Sequence, residues 1–403
     1  MSFVNKPLTD IMDCVRASTA TYVDPTGKIR TAGVNEPRID FSSGQGRLLV
    51  EEQRTNLLTW SEDFSNAVWD SSNAITRSLS AIPALAPNSF YTKIVADTTV
   101  TAHRLRQSAT YVSGQSYTLS VYVKPAEYHV ICLHGINSVF GTNKSATFDL
   151  SNGTFIVSPG ATARMERQID GSYRCEVTAQ AEVSMTTVNG FSVRMAPNGQ
   201  SDNLLPTFAG DGTSGIYIWG AQLEAASTPS SYIPTQASAV TRLADNVSRV
   251  LGDEINKSEW TMFIDFDFAY GMSAGASHIL AISSNTESGG LPRSSIRIGD
   301  QTGSWGWQVF SDDNSLLINT RSSLPPLTKG RNKLCYSYKN GVGVLSLNGQ
   351  SVSLTPAFTN KTFNNLTRLW ITSNVPSTNY AIRNTNYYPK ALSSEEMVEL
   401  TRI

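Results

Sequence analysis

The stretch Lys333-Leu334-Cys335-Tyr336-Ser337-Tyr338-Lys339-Asn340-Gly341-Val342-Gly343-Val344-Leu345-Ser346-Leu347-Asn348-Gly349-Gln350-Ser351-Val352-Ser353-Leu354 decides the fold class. Asn-Gly occurs twice in it, each time between short runs of aromatic and aliphatic residues. A two-residue hairpin turn needs positive φ at its central positions, which Asn tolerates and Gly adopts without steric cost. The spacing predicts a three-stranded antiparallel meander.

The same grammar extends through the chain. In Trp260-Thr261-Met262-Phe263-Ile264-Asp265-Phe266-Asp267-Phe268, the residues Trp260, Met262, Ile264, Phe266 and Phe268 fall on one strand face. Tyr117, Leu119, Val121 and Val123 do so in Tyr117–Val123. Asn152-Gly153 fits a hairpin between Ala146–Leu150 and Phe155–Val157, and Asp170-Gly171 fits one before Tyr173–Val177. Gly215–Glu224 reads as another alternating strand, followed by a linker holding Pro229 and Pro234. Ser393-Ser394-Glu395-Glu396 has the form of a helix cap, with Met397 and Leu400 on one face of a short closing helix.

A chain of 403 residues exceeds what one core usually serves, so two or three domains are expected. Hydrophobic residues at 40% and charged residues at only 16%, with abundant Gly, Ser, Thr and Asn, favour an all-β chain of short strands and polar turns. A formal net charge of -1 lacks the basic excess that neutralising phosphates demands, which argues against nucleic acid. No apolar run approaches the roughly 20 residues of a membrane span. Met1–Lys6 has no apolar signal core, so synthesis in a cytoplasm is expected. Cys14, Cys132, Cys175 and Cys335 show no zinc-ligand spacing, and Cys132 and Cys175 lie in apolar strand-like runs as buried residues.

The first fifty residues are poor in periodicity and rich in turn signals such as Asp24-Pro25-Thr26-Gly27, reading as an extended leader. It ends in Arg47–Leu58, a run with two apolar patches and four charges, Arg47, Glu51, Glu52 and Arg54, as expected of a strand that pairs against something.

Three groups of residues carry a family resemblance. Arg16–Asp24 through Pro37-Arg38-Ile39-Asp40, then Leu48–Leu58 and Ser61-Glu62-Asp63-Phe64, resemble a stretch that recurs in bacteriophage head-spike and tail-fibre proteins. In such proteins it precedes a jelly roll similar to carbohydrate-binding modules. That module ends in phrases like Gly220-Ala221-Gln222-Leu223-Glu224, Ser231-Tyr232-Ile233-Pro234-Thr235 and Thr241-Arg242-Leu243-Ala244-Asp245, all present here. The segment after Asp253, with its terminal Tyr387-Tyr388-Pro389-Lys390-Ala391-Leu392-Ser393, resembles a laminin-G or concanavalin A-like lectin module.

The resemblance implies two tandem antiparallel β-sandwich (jelly-roll) domains behind an extended N-terminal anchor. Residues 1-55 would form the anchoring or oligomerisation segment, 56-245 the carbohydrate-binding-module-like jelly roll and 246-403 the lectin-like sandwich. It further implies a virion protein, a homotrimer, joined to other virion proteins and binding a host-surface glycan, with no membrane insertion. Position on the particle does not follow from fold.

Sugars are bound by exposed aromatic rings flanked by Asp, Asn or Arg. Trp305-Gly306-Trp307, with Asp312, Asp313 and Asn314 in the next turn, is either such a platform or core filling. Trp69, Tyr91, Tyr128 and His129 fall near expected strand ends, where a cleft would form. Concanavalin A-like folds also host glycosidases built on two carboxylates. The nearest match to their Glu-x-Asp-x-x-Glu motif, Asp265-Phe266-Asp267-Phe268-Ala269-Tyr270, puts Tyr270 where the acid should be, so Asp265 and Asp267 are expected on a solvated strand face. A surface-polysaccharide depolymerase and a purely architectural particle protein stay as alternatives. Neither a phosphate loop nor a nucleophile-elbow signature near His103, His129, His134 or His278 is present. No cofactor is expected, though a structural calcium could draw oxygen ligands from Glu62, Asp63 and Glu224.

Overall fold

The computed structural model describes residues 12–69, 74–142, 144–188, 190–200, 207–250, 252, 256, 258–268, 281–283, 295–300, 305–310, 316–320, 330–340, 342–353, 368–370 and 380–403. The chain is all-β, and it divides into two compact units interleaved along the sequence. One comprises Ala20–Thr31 and Arg54–Arg242; the other comprises Met1–Thr19, Ala32–Gln53 and Leu243–Ile403. Residues of the expected leader therefore supply strands to both units. Among the described residues no helix is long and apolar enough to cross a membrane.

The unit built on Arg54–Arg242 is a sandwich of two antiparallel sheets. Its six-stranded sheet runs, edge to edge, Ala161–Arg167, Tyr173–Gln180, Ser116–Lys124, Gly215–Glu224, Phe90–Ala96 and Ile75–Pro83. Its five-stranded sheet runs Thr154–Val157, Lys144–Asp149, Val130–Gly135, Phe191–Ala196 and Arg104–Arg106. Alternation puts Tyr117, Leu119, Val121 and Val123 of one sheet, and Ile131, Leu133, Phe148, Val193 and Met195 of the other, into one shared core. The expected hairpins form, with Gly153 at φ 74° and Gly171 at φ 82°. A bulge opposite Ser120–Tyr122 interrupts the alternation of Gly215–Glu224 at Gly220, whose φ is 61°. Ile218 and Ala221 therefore both reach the core. Trp219 turns to the outer face against Tyr122 and Tyr232, with ring centroids 5.3 and 4.8 Å away.

The phrases that carry the resemblance are polar pins. Asn56 is fully buried, and its side chain donates to the Ala221 and Ile233 carbonyls and accepts from the Leu58 and Leu223 amides, at 2.9–3.1 Å. Gln222 Oε1 accepts from Ile233 N at 2.6 Å, and Glu224 accepts from Ser230 N and Ser230 Oγ at 2.9 and 2.6 Å. Ser61 Oγ lies 2.7 Å from the Tyr232 hydroxyl. One strand, Gly215–Glu224, is thereby tied to the segments on either side of it in sequence.

In the other unit the seven-stranded sheet runs Gln350–Ser353, Val342–Leu347, Gly330–Lys339, Glu259–Phe268, Tyr380–Tyr388, Arg47–Val50 and Ile39–Asp40. The meander forms as read, with Asn340 and Asn348 at φ 48° and 49°. Trp260, Met262, Ile264 and Phe266 are buried on one face, aligned with Tyr338, Tyr336 and Leu334. The opposite face is covered in part by the helix Ser394–Thr401, whose Met397 packs with Phe263, Cys335 and Leu392. Ser393 caps it: its Oγ accepts from Glu396 N, and its own N–H donates to Glu396 Oε2 at 2.7 Å. Ser393→Ala should destabilise this unit by about 1 kcal/mol, seen as earlier thermal melting.

The charges of the leader turn inward. Arg16, Arg38 and Glu51, together with Asp245 from much later in the chain, are all buried, at 1%, 0%, 5% and 2% exposed. Asp245 Oδ1 accepts from Arg16 Nη1 at 2.6 Å, while Oδ2 takes Arg38 Nη2 and the Glu51 amide. Arg38 Nη1 also pairs with Glu51 Oε2 at 2.8 Å. Burial alone would lower the Arg38 guanidinium; Asp245 and Glu51 outweigh it and hold the value above its ordinary one.

Candidate ligand-binding face

The strands of the five-stranded sheet that bury Ile131, Leu133, Val193 and Met195 carry polar residues at the intervening positions. The register aligns them in two rows across the outer face. One row is Thr147, Cys132, Arg194 and Arg104; the next is Ser145, His134, Ser192 and Arg106. Arg194 is 5% exposed and His134 2%, whereas Arg104 and Arg106 are half-buried. Such a face is unusual, because an outer sheet face with this composition is ordinarily solvated.

Its centre is a pair of side chains. Arg194 Nη2 donates to His134 Nδ1 at 3.1 Å, and Arg194 Nε donates to Ser192 Oγ at 3.3 Å. Burial, then the neighbouring Arg104 and Arg106, pull the Arg194 guanidinium down to about 10. Burial, then Arg194 and Arg104, pull the His134 imidazole from 6.5 to about 3, so the ring is neutral at neutral pH. Burial raises the Cys132 thiol to about 11 in spite of Arg194, leaving it protonated.

A histidine whose value falls on folding binds fewer protons folded than unfolded between pH 3 and 6.5. Stability is then intact above 6.5 and is lost as pH falls through that window, by up to about 1.4 kcal/mol per pH unit. In urea titrations at about pH 7, 6, 5 and 4, His134→Gln should flatten this slope by roughly one proton.

Of the residues singled out in the sequence, Trp69 and Tyr91 require correction as sugar-stacking rings. Trp69 is 3% exposed, stacked on Phe64 in the core, and its Nε1–H donates to the Trp60 carbonyl at 3.0 Å. Tyr91 is fully buried beside Tyr122 and Trp219, and its hydroxyl donates to Asp170 Oδ2 at 2.9 Å. Both rings leave the surface because their polar atoms find partners inside. Tyr128 and His129 are half-buried and immediately precede the strand Val130–Gly135; Tyr128 packs edge-on against Phe208 at 5.7 Å, and His129 Nε2 lies 4.0 Å from Asp149 Oδ1. Trp305 and Trp307 occupy alternate positions of the central strand of a three-stranded sheet, opposite Asp300 and Ile298. Asp312, Asp313, Asn314, Tyr270 and His278 lie outside the described residues.

The acids considered for calcium are used separately. Glu224 serves Ser230, Asp63 accepts from Ser65, and Glu62 accepts from the Tyr232 hydroxyl at 3.2 Å. Among the described residues no group of three or more His, Cys, Asp or Glu is placed to hold a metal. Asp265 and Asp267 do lie opposite the apolar face, yet Asp265 is only 6% exposed. Both oxygens of Asp265 are taken by Arg331 at 3.0 and 2.6 Å, and both of Asp267 by Arg383 at 2.8 and 3.0 Å. The expected solvation is replaced by guanidinium forks.

Sequence reasoning missed Arg194 and His134 because it looked for exposed aromatic rings. The available signal was alternation: Cys132 and His134 interleave with Ile131 and Leu133, and Arg194 stands between Val193 and Met195.

No family model and no curated protein matches the sequence. Among solved structures, the chain is similar to the full extracellular region of zebrafish Gpr126/Adgrg6 at 14% identity and a TM-score of 0.27, over 82% of this chain and 37% of that one. It is also similar to mouse laminin alpha1 chain domains LG4-5, at 13% identity and a TM-score of 0.25 over 76% and 89% of the two chains. Trypanosoma rangeli sialidase aligns at 8% identity and a TM-score of 0.30 over 96% and 98%. Likeness at this level assigns neither family nor function.

Proposed function

We propose that this chain is a non-enzymatic adhesive protein of a bacteriophage particle, and that its Arg54–Arg242 sandwich binds a host-surface glycan. The observation that carries the reading is the two-sheet sandwich itself, in which the phrases that resemble those of carbohydrate-binding modules, residues 220–224 and 231–235, are joined by the Gln222–Ile233 and Glu224–Ser230 hydrogen bonds. The arginine forks on Asp265 and Asp267 favour adhesion over hydrolysis, since both carboxylates are already occupied. The particle setting, the homotrimer, the virion partners and the anchoring role of residues 1-55 rest on the sequence resemblance. In a symmetric oligomer, weak sites are multiplied through effective concentration.

An architectural role has one observation in its favour. Phe155, Ile156 and Val157 are 41%, 42% and 37% exposed on the edge strand of the same sheet, a surface suited to another protein. The deciding experiment is binding of the fluorescently labelled chain to intact host cells before and after periodate oxidation of surface sugars. Binding that disappears on oxidation supports adhesion. Absence of binding by the assembled oligomer would leave the architectural role.

A further inference from the structure

The edges of the Arg54–Arg242 sandwich are guarded unequally. A strand edge leaves N–H and C=O groups unpaired, and charges, proline or bulges ordinarily keep another strand from adding to it. Ala161–Arg167 carries Arg164, Glu166 and Arg167, and Arg104–Arg106 carries two arginines. Ile75–Pro83 carries Arg77 and Pro83 and breaks register after Leu79. Among the described residues of the two sheets, Thr154–Val157 alone is an edge with none of these devices. All of its residues are exposed, although the Phe155 ring lies 5.7 Å from that of the buried Phe148 on the core side of the sheet.

The hydrogen-bond parity of this edge is fixed by its neighbours. Leu150 N donates to the His129 carbonyl at 2.8 Å, and Ser158 N donates to the Ser145 carbonyl at 2.9 Å. Bonded positions alternate in an antiparallel ladder, so Thr154 and Ile156 turn their N–H and C=O groups toward Lys144–Asp149, and Phe155 and Val157 turn theirs away from the sheet. Among the described residues no strand pairs on that side. Side chains alternate as well: Phe155 and Val157 stand opposite Phe148 and Ala146 of the core, and Ile156 opposite Thr147 on the outer face. Such a segment complements itself. Turned end for end about a two-fold axis at Ile156, Phe155 of one copy meets Val157 of the other, and each such pair exchanges both N–H···O bonds. The two cores then join across the seam, and Ile156 meets Ile156. No like charges oppose the contact, because the strand carries none.

We propose that Thr154–Val157 pairs antiparallel with the same strand of a second copy of this chain, joining two five-stranded sheets into one. The contact is additional to the three-fold axis of the trimer proposed above, and it does not depend on whether the sandwich binds glycan. Four residues a side bury less than the roughly 1,200 Å² of a stable interface, so the pairing is weak in isolation and gains from effective concentration in a larger assembly.

The test is the mass of the full chain by sedimentation equilibrium over a concentration series. Wild type should rise toward twice its dilute-limit mass. Ile156→Lys and Ile156→Glu each set two like charges face to face at the axis, and each alone should stay at the dilute-limit mass. An equimolar mixture of the two should regain the rise, because Lys then faces Glu. Val157→Pro removes an N–H that points away from the sheet and should weaken the association by about tenfold, since symmetry introduces the change twice. Ile156 is exposed, so thermal melting of its variants should match wild type. A wild-type mass independent of concentration overturns the proposal. So does a rise that persists in either charged variant alone, that mixing the two does not restore, or that Val157→Pro leaves unchanged.

Discussion

Asp245→Ala should cost about 3–5 kcal/mol, the loss typical of removing one partner from a buried ion pair. The carboxylate serves Arg16, Arg38 and the Glu51 amide at once, and both arginines are 1% exposed or less. Without it, Arg16 keeps the carbonyls of Ser18, Gly33 and Glu36, and Arg38 keeps Glu51, but two cations lose the anion they share. Asp245→Asn should lie between, since it retains an acceptor oxygen. Urea denaturation of the full chain reads the difference, and an Asp245→Ala midpoint close to wild type would mean the network contributes nothing net.

Asn56→Ala should cost a comparable amount, about 3–4 kcal/mol. It strands two amides and two carbonyls that are sealed from water, and each buried group left without a partner costs about 1–3 kcal/mol before the surroundings relax. Asn56→Asp should be no milder, because a carboxylate cannot donate to the Ala221 and Ile233 carbonyls and faces both at close range. Amide exchange along Gly215–Glu224 should accelerate in both variants, distinguishing a local loosening of that strand from a uniform loss of stability.

Much of the fold was legible because a half-buried strand writes its period into its residues. Tyr117–Val123 and Trp260–Phe266 face as their alternation implies, and each Asn-Gly turn falls between the strands it was read to join. Alternation fails where the backbone changes its parity. In Ile218-Trp219-Gly220-Ala221 the lone strand glycine, Gly220, is the one mark of the bulge that sends Trp219 outward while keeping Ala221 in the core, and alternation alone passes over it. Composition also misleads about charge. Arg16, Arg38, Glu51 and Asp245 look solvated one at a time and become buried only as a set, since each supplies the partner that makes the burial of the others tolerable. The buried polar face of the five-stranded sheet was hidden for a related reason. Period two says that Ile131 and His134 point to opposite sides of a strand, but only the sandwich says that the His134 side is covered rather than open to water. Trp69 illustrates the converse, an indole in an irregular segment that the sequence offers to a ligand and the core claims.

The most direct test of the central claim is hydrogen–deuterium exchange of the full chain with and without a bound surface polysaccharide. The result expected is protection concentrated in the Arg54–Arg242 sandwich. Protection confined to Leu243–Ile403, with the Arg54–Arg242 sandwich unchanged, would contradict the placement of the glycan on this sandwich.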